Sequence, residues 1–194
     1  MKLPTRILLT CAAIGTAGGL LLVPLNWISA SIAAAMPLLY AVLSGVWTVP
    51  FVVAFALIRR PGTALLTGLI AGIVNAGLTP QGPSAILTSL MVGAMIEIPI
   101  ALGGYRSWRA WIWYVGAAVF GLAYSLYSMA YLDFGANPVW MQAAYAVIGT
   151  ASNVAAIWVG RSIAARLEAA GVARGLQPRQ AAPAVAARQE PAAG

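Results

Sequence analysis

The sequence predicts an all-α integral membrane protein, a bundle of six transmembrane helices with both termini in the cytoplasm. Three observations lead there. The 194-residue chain is 61% hydrophobic and only 8% charged, with a mean hydropathy of +0.87, whereas a soluble domain carries roughly 25% charged residues. Its apolar residues fall into six runs, most of them near the ~20 residues that a hydrocarbon core requires. Its basic residues occupy every second connection between those runs, the pattern left by cytoplasmic loops.

The first run covers residues 7–25, after Lys2 and Arg6. Cys11, Gly15 and Gly19 form one ladder of small residues along it, and Ala13 and Ala17 form another; such ladders let helices approach closely in lipid. A basic start before an apolar run also fits a secretion signal, but the run is longer than a signal core and Leu9-Thr10-Cys11 matches a lipoprotein box poorly. Residues 26–35, with Trp27, read as a connecting stretch able to form a short helix or lid. The second run, 36–58, stops at Arg59-Arg60-Pro61-Gly62, where Pro and Gly turn the chain. The third, 63–78, is short for a span and ends at Thr79-Pro80-Gln81-Gly82-Pro83.

The fourth run is 84–102, the fifth 110–131 and the sixth 139–163. Arg106 and Arg109 follow the fourth, and Arg161, Arg166, Arg174 and Arg179 end or follow the sixth. Connections after runs one, three and five carry a single charge, Asp133. This alternation predicts six spans with both termini in the cytoplasm. One membrane domain is expected over residues 1–167. The Ala, Pro, Gln and Gly-rich remainder, 168–194, is expected to be a disordered cytoplasmic tail, because that composition cannot bury a core.

Composition also excludes function classes. With no His and one Cys, Cys11, the chain offers no His-based triad, no His metal site and no internal disulfide. It contains no phosphate-binding G-x-x-x-x-G-K-[ST] loop, no H-E-x-x-H and no G-x-S-x-G. No enzymatic activity, cofactor or metal is expected. The net charge of +7 is spread between apolar runs, so it marks topology rather than a nucleic-acid surface. Energy for any transport must come from an ion gradient or a partner.

Candidate binding residues are the polar groups inside the runs. Glu97 is the only acid within an apolar run. At membrane depth it needs a partner, a proton or a ligand, and Gly93 one turn earlier leaves room beside it. It either reads a ligand or is bonded to a neighbouring helix. Asn75 lies near the outer end of the third run, and Gln142 and Tyr145 near that of the sixth; Asn153 lies about as deep as Glu97. Tyr124, Tyr127 and Tyr131 share one helix face, with Ser128 beside them. Tyrosines over a floor of carboxylate and carboxamides suit a small planar heterocycle. The competing readings are interhelical hydrogen bonding for Asn153 and interface-belt positions for Tyr131, Trp27, Trp108, Trp111 and Trp140.

The segments Gly45-Val46-Trp47-Thr48-Val49-Pro50, Arg59-Arg60-Pro61-Gly62-Thr63-Ala64-Leu65-Leu66, Gly93-Ala94-Met95-Ile96-Glu97 and Tyr105-Arg106-Ser107-Trp108, in that order, resemble the YkoE family. These are substrate-binding S components of energy-coupling-factor (ECF) vitamin transporters. The resemblance covers about residues 3–166. It implies a multi-pass binding subunit of the cytoplasmic (inner) membrane that captures thiamin or its hydroxymethylpyrimidine precursor from outside. Its partners would be a transmembrane coupling protein and a pair of ABC ATPases that power transport. It further implies that Ala13-Ile14-Gly15-Thr16-Ala17 is an A-x-x-x-A face docking the coupling protein, and that Glu97 pairs with an aminopyrimidine. Asn75, Tyr124, Tyr127, Gln142, Tyr145 and Asn153 are site candidates by depth and facing alone. The alternatives are a self-sufficient proton-coupled transporter working through Glu97, or a structural subunit of another membrane complex.

Overall fold

Lipid offers no hydrogen-bond partners, so each apolar run closes its backbone on itself as a helix. The computed structural model describes residues 5–33, 35–134 and 137–172. They form α1 (Thr5–Ile32), α2 (Pro37–Ser44), α3 (Val49–Ile58), α4 (Thr63–Leu78), α5 (Ser84–Leu102), α6 (Ala110–Tyr131) and α7 (Val139–Ala169). α2, a 3-10 turn at Val46–Thr48 and α3 make one apolar crossing, Pro37–Ile58. Five crossings are long and apolar enough to span a membrane, and α4 is a shorter sixth, ~24 Å long at the helical rise. The expected all-α bundle of six crossings is the architecture found.

Three local expectations are corrected. α1 continues through Pro24 to Ile32, so residues 26–32 are not a connecting stretch, and Asn26 and Ser29 are buried on a helix. The second crossing is interrupted rather than continuous. Gly45 presses against Ser152 of α7 and donates its backbone N–H to the Ser152 hydroxyl at 3.1 Å. Pro50 falls in the first turn of α3, and between the two the chain tightens into the 3-10 turn. Finally, Arg161 lies within α7 and stacks over Trp113 (5.9 Å) and Tyr114 (5.6 Å), a cation–π arrangement that lets a guanidinium sit among apolar helices.

The two ladders of α1 face opposite ways. Cys11, Gly15 and Gly19 are buried, and a Cβ on Gly19 would meet Ala71 Cα of α4 at 3.1 Å. Ala13 and Ala17 are exposed on the outside of the bundle. α4 is thereby held between α1 and α5. On its other side a Cβ on Gly93 would stand 2.7 Å from the Ala64 carbonyl, so the room beside Gly93 is filled by α4 backbone.

The start of α1 and the end of α7 lie on one side of the bundle. Ile7 of α1, Leu57 and Ile58 of α3 and Ala164 of α7 pack into one cluster, and Arg59 pairs with Glu168 at 3.6 Å. Arg106 and Arg109 join this basic end through the α5–α6 loop. Glu168, expected to begin the tail, is the penultimate residue of α7; a left-handed Gly171 (φ 84°) follows. The rest of the tail expected over 168–194, from 173 onward, lies outside the described residues.

Candidate ligand-binding site

At the end opposite the basic loops the bundle encloses an open cavity of about 530 Å³. The last turns of α1 supply Asn26 and Ser29, α2 supplies Tyr40, the 3-10 turn Trp47, and α6 Tyr124 and Tyr127. Gln81 of the α4–α5 loop and Thr88 of α5 complete the polar wall. A smaller cavity of about 30 Å³ shares Asn26, Trp47, Gln81 and Thr88 and reaches Asn75. The interrupted second crossing shapes this wall. Tyr40 and Trp47 meet edge to face at 5.7 Å, and the Tyr40 and Tyr124 hydroxyls lie 3.3 Å apart.

Asn75 is buried against two backbone carbonyls and the Asn26 side chain. Its Nδ2 donates to Gly19 O of α1 (3.2 Å) and to Ala71 O (2.9 Å), and its Oδ1 accepts from Asn26 Nδ2 (2.9 Å). Asn26 Nδ2 also donates to Leu22 O at 3.0 Å. The amide nitrogen of each Asn is thus committed to backbone or carboxamide oxygens, and among the described residues no donor occupies Asn26 Oδ1.

The candidates from the sequence therefore divide. Tyr124 and Tyr127 line the large cavity, and Asn75 lines its small extension. Asn153 does not reach either. It is buried at the α2–α7 contact, where Nδ2 donates to Ser44 Oγ (3.3 Å) and Gly149 O (2.9 Å). Tyr145 is buried against Phe134, ring centroids 5.2 Å apart. Gln142 fastens the α6–α7 loop through Asn137 O at 2.9 Å. Asn26, Tyr40, Trp47 and Gln81 are cavity residues that sequence reasoning did not select. Asn26 was legible: it extends the buried stripe Cys11, Gly15, Gly19, Leu22 by one more helical step.

Glu97 is built into the opposite end. Its Oε1 accepts the backbone N–H of Ala64 (2.7 Å) and Leu65 (3.3 Å), and its Oε2 accepts that of Gly62 (2.9 Å) and the Tyr105 hydroxyl (3.1 Å). These are the orphan donors at the start of α4, which has no cap from its own preceding residue. A side chain from α5 caps α4 across the bundle. From Glu97 back to the cavity residue Thr88 is nine residues of helix, ~14 Å.

Tyr105 closes this end. It holds a left-handed backbone (φ 58°), uncommon for a bulky residue, fixed by its bond to Glu97 and by Trp108 Nε1 donating to its carbonyl at 3.0 Å. Phe55 packs against Tyr105, Trp108 and Trp113, with centroids 6.5, 5.2 and 5.3 Å away. Trp108, expected in an interface belt, is a half-buried member of this plug, whereas Trp27, Trp111 and Trp140 are exposed. Burial, and then the neighbouring Glu97, push the Tyr105 hydroxyl above its ordinary pKa.

Among the described residues no group of three or more His, Cys, Asp and Glu comes together to hold a metal. Comparison with known proteins agrees with a transport component. The chain is similar to the "Putative HMP/thiamine permease protein YkoE" of Bacillus subtilis (strain 168), 24% identical over 144 residues, 72% of this chain and 71% of the relative. A solved structure described as "Crystal structure of an S-component of ECF transporter" superposes with a TM-score of 0.79 over 90% of each chain at 20% identity, which shows a shared fold. Residues 7–123, more than half of the sequence, match a defined family, and the chain belongs to it: "ABC-type cobalt transport system, permease component".

Proposed function

We propose that this protein is the substrate-binding S component of an ECF-type importer, with the cavity lined by Asn26, Tyr40, Trp47, Tyr124 and Tyr127 as its site and thiamin or hydroxymethylpyrimidine as its ligand. The observation that carries the reading is the free Asn26 Oδ1 inside an aromatic cavity of about 530 Å³, within the ~300–1,000 Å³ usual for small-molecule sites. An aminopyrimidine brings an exocyclic amine for that oxygen and a flat ring for the Tyr and Trp walls. Glu97, Asn153, Gln142 and Tyr145 support the site from behind rather than touch the ligand. Cobalt is not carried over from the family's description: the chain has no His, and the cavity presents carboxamides, hydroxyls and rings.

The positive-inside pattern places the basic end, and both termini, in the cytoplasm, with the cavity facing outside. Phe55, Tyr105, Trp108 and Trp113 plug the inner end, so release of ligand requires movement of the whole subunit against a partner. Ala13 and Ala17, exposed on α1, are the docking face for a transmembrane coupling protein, and a pair of ABC ATPases supplies the energy. A self-sufficient proton-coupled carrier has less support, because both Glu97 oxygens are taken up in capping α4 and holding Tyr105.

The test is intrinsic tryptophan fluorescence, with Trp47 as a reporter in the cavity, titrated with hydroxymethylpyrimidine and with thiamin. It is followed by uptake into proteoliposomes with and without the coupling protein and ATPases. Saturable quenching by the subunit alone, with accumulation only in the full complex and ATP, is expected. Accumulation by the subunit alone under a pH gradient, or no response to either ligand by folded protein, refutes the reading.

A further inference from the structure

Outside that cavity, the lipid-facing side of the bundle carries a groove between α5 and α6. The two helices touch at Pro99 and Gly116, where a Cβ on Gly116 would collide with the Pro99 ring. Beside that contact remains a space of about 630 Å³, walled by Met95, Leu102, Val115, Val119 and Phe120 and ending at Ser107 and Arg109. Leu102, Val115 and Val119 are exposed, so the wall faces the bilayer. The two ends differ in charge. Toward Ala123 the groove is apolar, whereas at the other end Arg109 stands exposed at the uncapped start of α6 with Arg106 nearby. Among the described residues neither arginine is in an ion pair.

We propose that this groove seats one acyl chain of an anionic phospholipid, with its phosphate against Arg109. Three observations favour this occupant. The groove runs from Trp111 to Ala123, ~18 Å of helix, which matches the depth of one leaflet, ~15 Å or half of the hydrocarbon core. Its wall of Leu102, Val115 and Val119 is exposed along that length, so a lipid chain can enter it sideways from the bilayer. Basic side chains at the mouth of an interhelical groove attract anionic headgroups specifically, and among the described residues no carboxylate pairs with Arg109. The inference does not depend on what the outer cavity binds.

Native mass spectrometry tests it on purified, delipidated, full-length protein. The probes are dioleoylphosphatidylglycerol and, as the zwitterionic control, dioleoylphosphatidylcholine. One phosphatidylglycerol is expected to be retained in preference to phosphatidylcholine, with affinity about fivefold weaker in Arg109→Gln and restored in Arg109→Lys. Val119→Trp, which fills the groove, is expected to weaken both lipids alike; Val115→Phe serves if that variant does not elute as a single species. Equal retention of the two lipids, or phosphatidylglycerol binding unchanged in both Arg109→Gln and the filled groove, overturns the proposal. So does disulfide crosslinking of Val119→Cys to the coupling protein in the assembled complex, because it puts protein where the chain should lie.

Discussion

Asn75 fixes which way the amide of Asn26 points. Two backbone carbonyls, Gly19 O and Ala71 O, surround Asn75 Nδ2, so that end must be the donor and its Oδ1 the acceptor. Asn26 can meet that acceptor only with its own nitrogen, at 2.9 Å. The Asn26 oxygen is then turned toward the cavity by a chain of hydrogen bonds that begins on α1 and passes through α4. The order holds before any ligand arrives, and pre-organised polar groups bind without the cost of ordering them first. Asn26→Ala is expected to weaken aminopyrimidine binding by about tenfold, the equivalent of one lost hydrogen bond, measured by fluorescence titration. Affinity unchanged in Asn26→Ala moves the contact to Gln81 or Thr88.

Glu97→Gln separates a structural acid from a ligand-reading one. The substituted amide sets an NH₂ group against backbone N–H donors of α4 where an oxygen now accepts. Leaving one such buried donor unmet costs about 1–3 kcal/mol. The variant is expected to melt at lower temperature in detergent while its affinity for hydroxymethylpyrimidine stays within about twofold, since Glu97 does not line the cavity and its nearest wall residue on α5, Met91, lies six residues of helix away, ~9 Å. A loss of affinity without a loss of stability contradicts the placement.

Stability at high pH reads the Tyr105 contact. Burial and Glu97 raise the Tyr105 pKa in the folded protein above the ordinary value of 10.0. Below pH 10 both folded and unfolded chains keep the proton. Above it the unfolded chain releases the proton first, so stability falls as pH rises toward the raised folded value. The other tyrosines contribute to such a fall as well, so the informative quantity is the difference from Tyr105→Phe. The variant is expected to lose less stability between pH 10 and 11 than the native chain, followed by thermal melts at fixed ionic strength.

How much of this was legible varies with the residue. The six crossings follow from hydropathy and the arginine pattern, because lipid leaves the backbone no alternative to helix. That Glu97 needed a partner was equally plain, and Gly93 marked where one would come close. Which partner came was not, since the N-terminus of α4 is brought there by the Arg59–Gly62 turn, whose left-handed residues, Arg59 at φ 52° and Gly62 at φ 81°, have no signature beyond the Pro and Gly. Depth alone did not separate Asn153 and Tyr145 from the residues that line the cavity, because a polar side chain facing the bundle interior can be met by a neighbouring helix as readily as by a cavity. Pro24 hid Asn26: in water it would mark a boundary, but in a membrane helix its neighbours absorb the break.

Ala13 and Ala17 test coupling apart from binding. Both are exposed on α1, on the face opposite the Gly15 and Gly19 contacts with α4, and neither lines the cavity. Enlarging them leaves the bundle interior untouched but puts bulk where a close helix approach through small residues is proposed. Ala13→Leu/Ala17→Leu is expected to bind hydroxymethylpyrimidine like the native chain and to melt at the same temperature. Co-purification with the coupling protein and ATP-dependent uptake in proteoliposomes should both fall to background. Uptake at the native rate with full co-purification places the docking face elsewhere on the bundle. Gly15→Leu is the matched control, because its Cβ would stand 2.9 Å from the Thr67 carbonyl; it should lose stability and ligand binding together, which distinguishes a packing ladder from a docking one on the same helix.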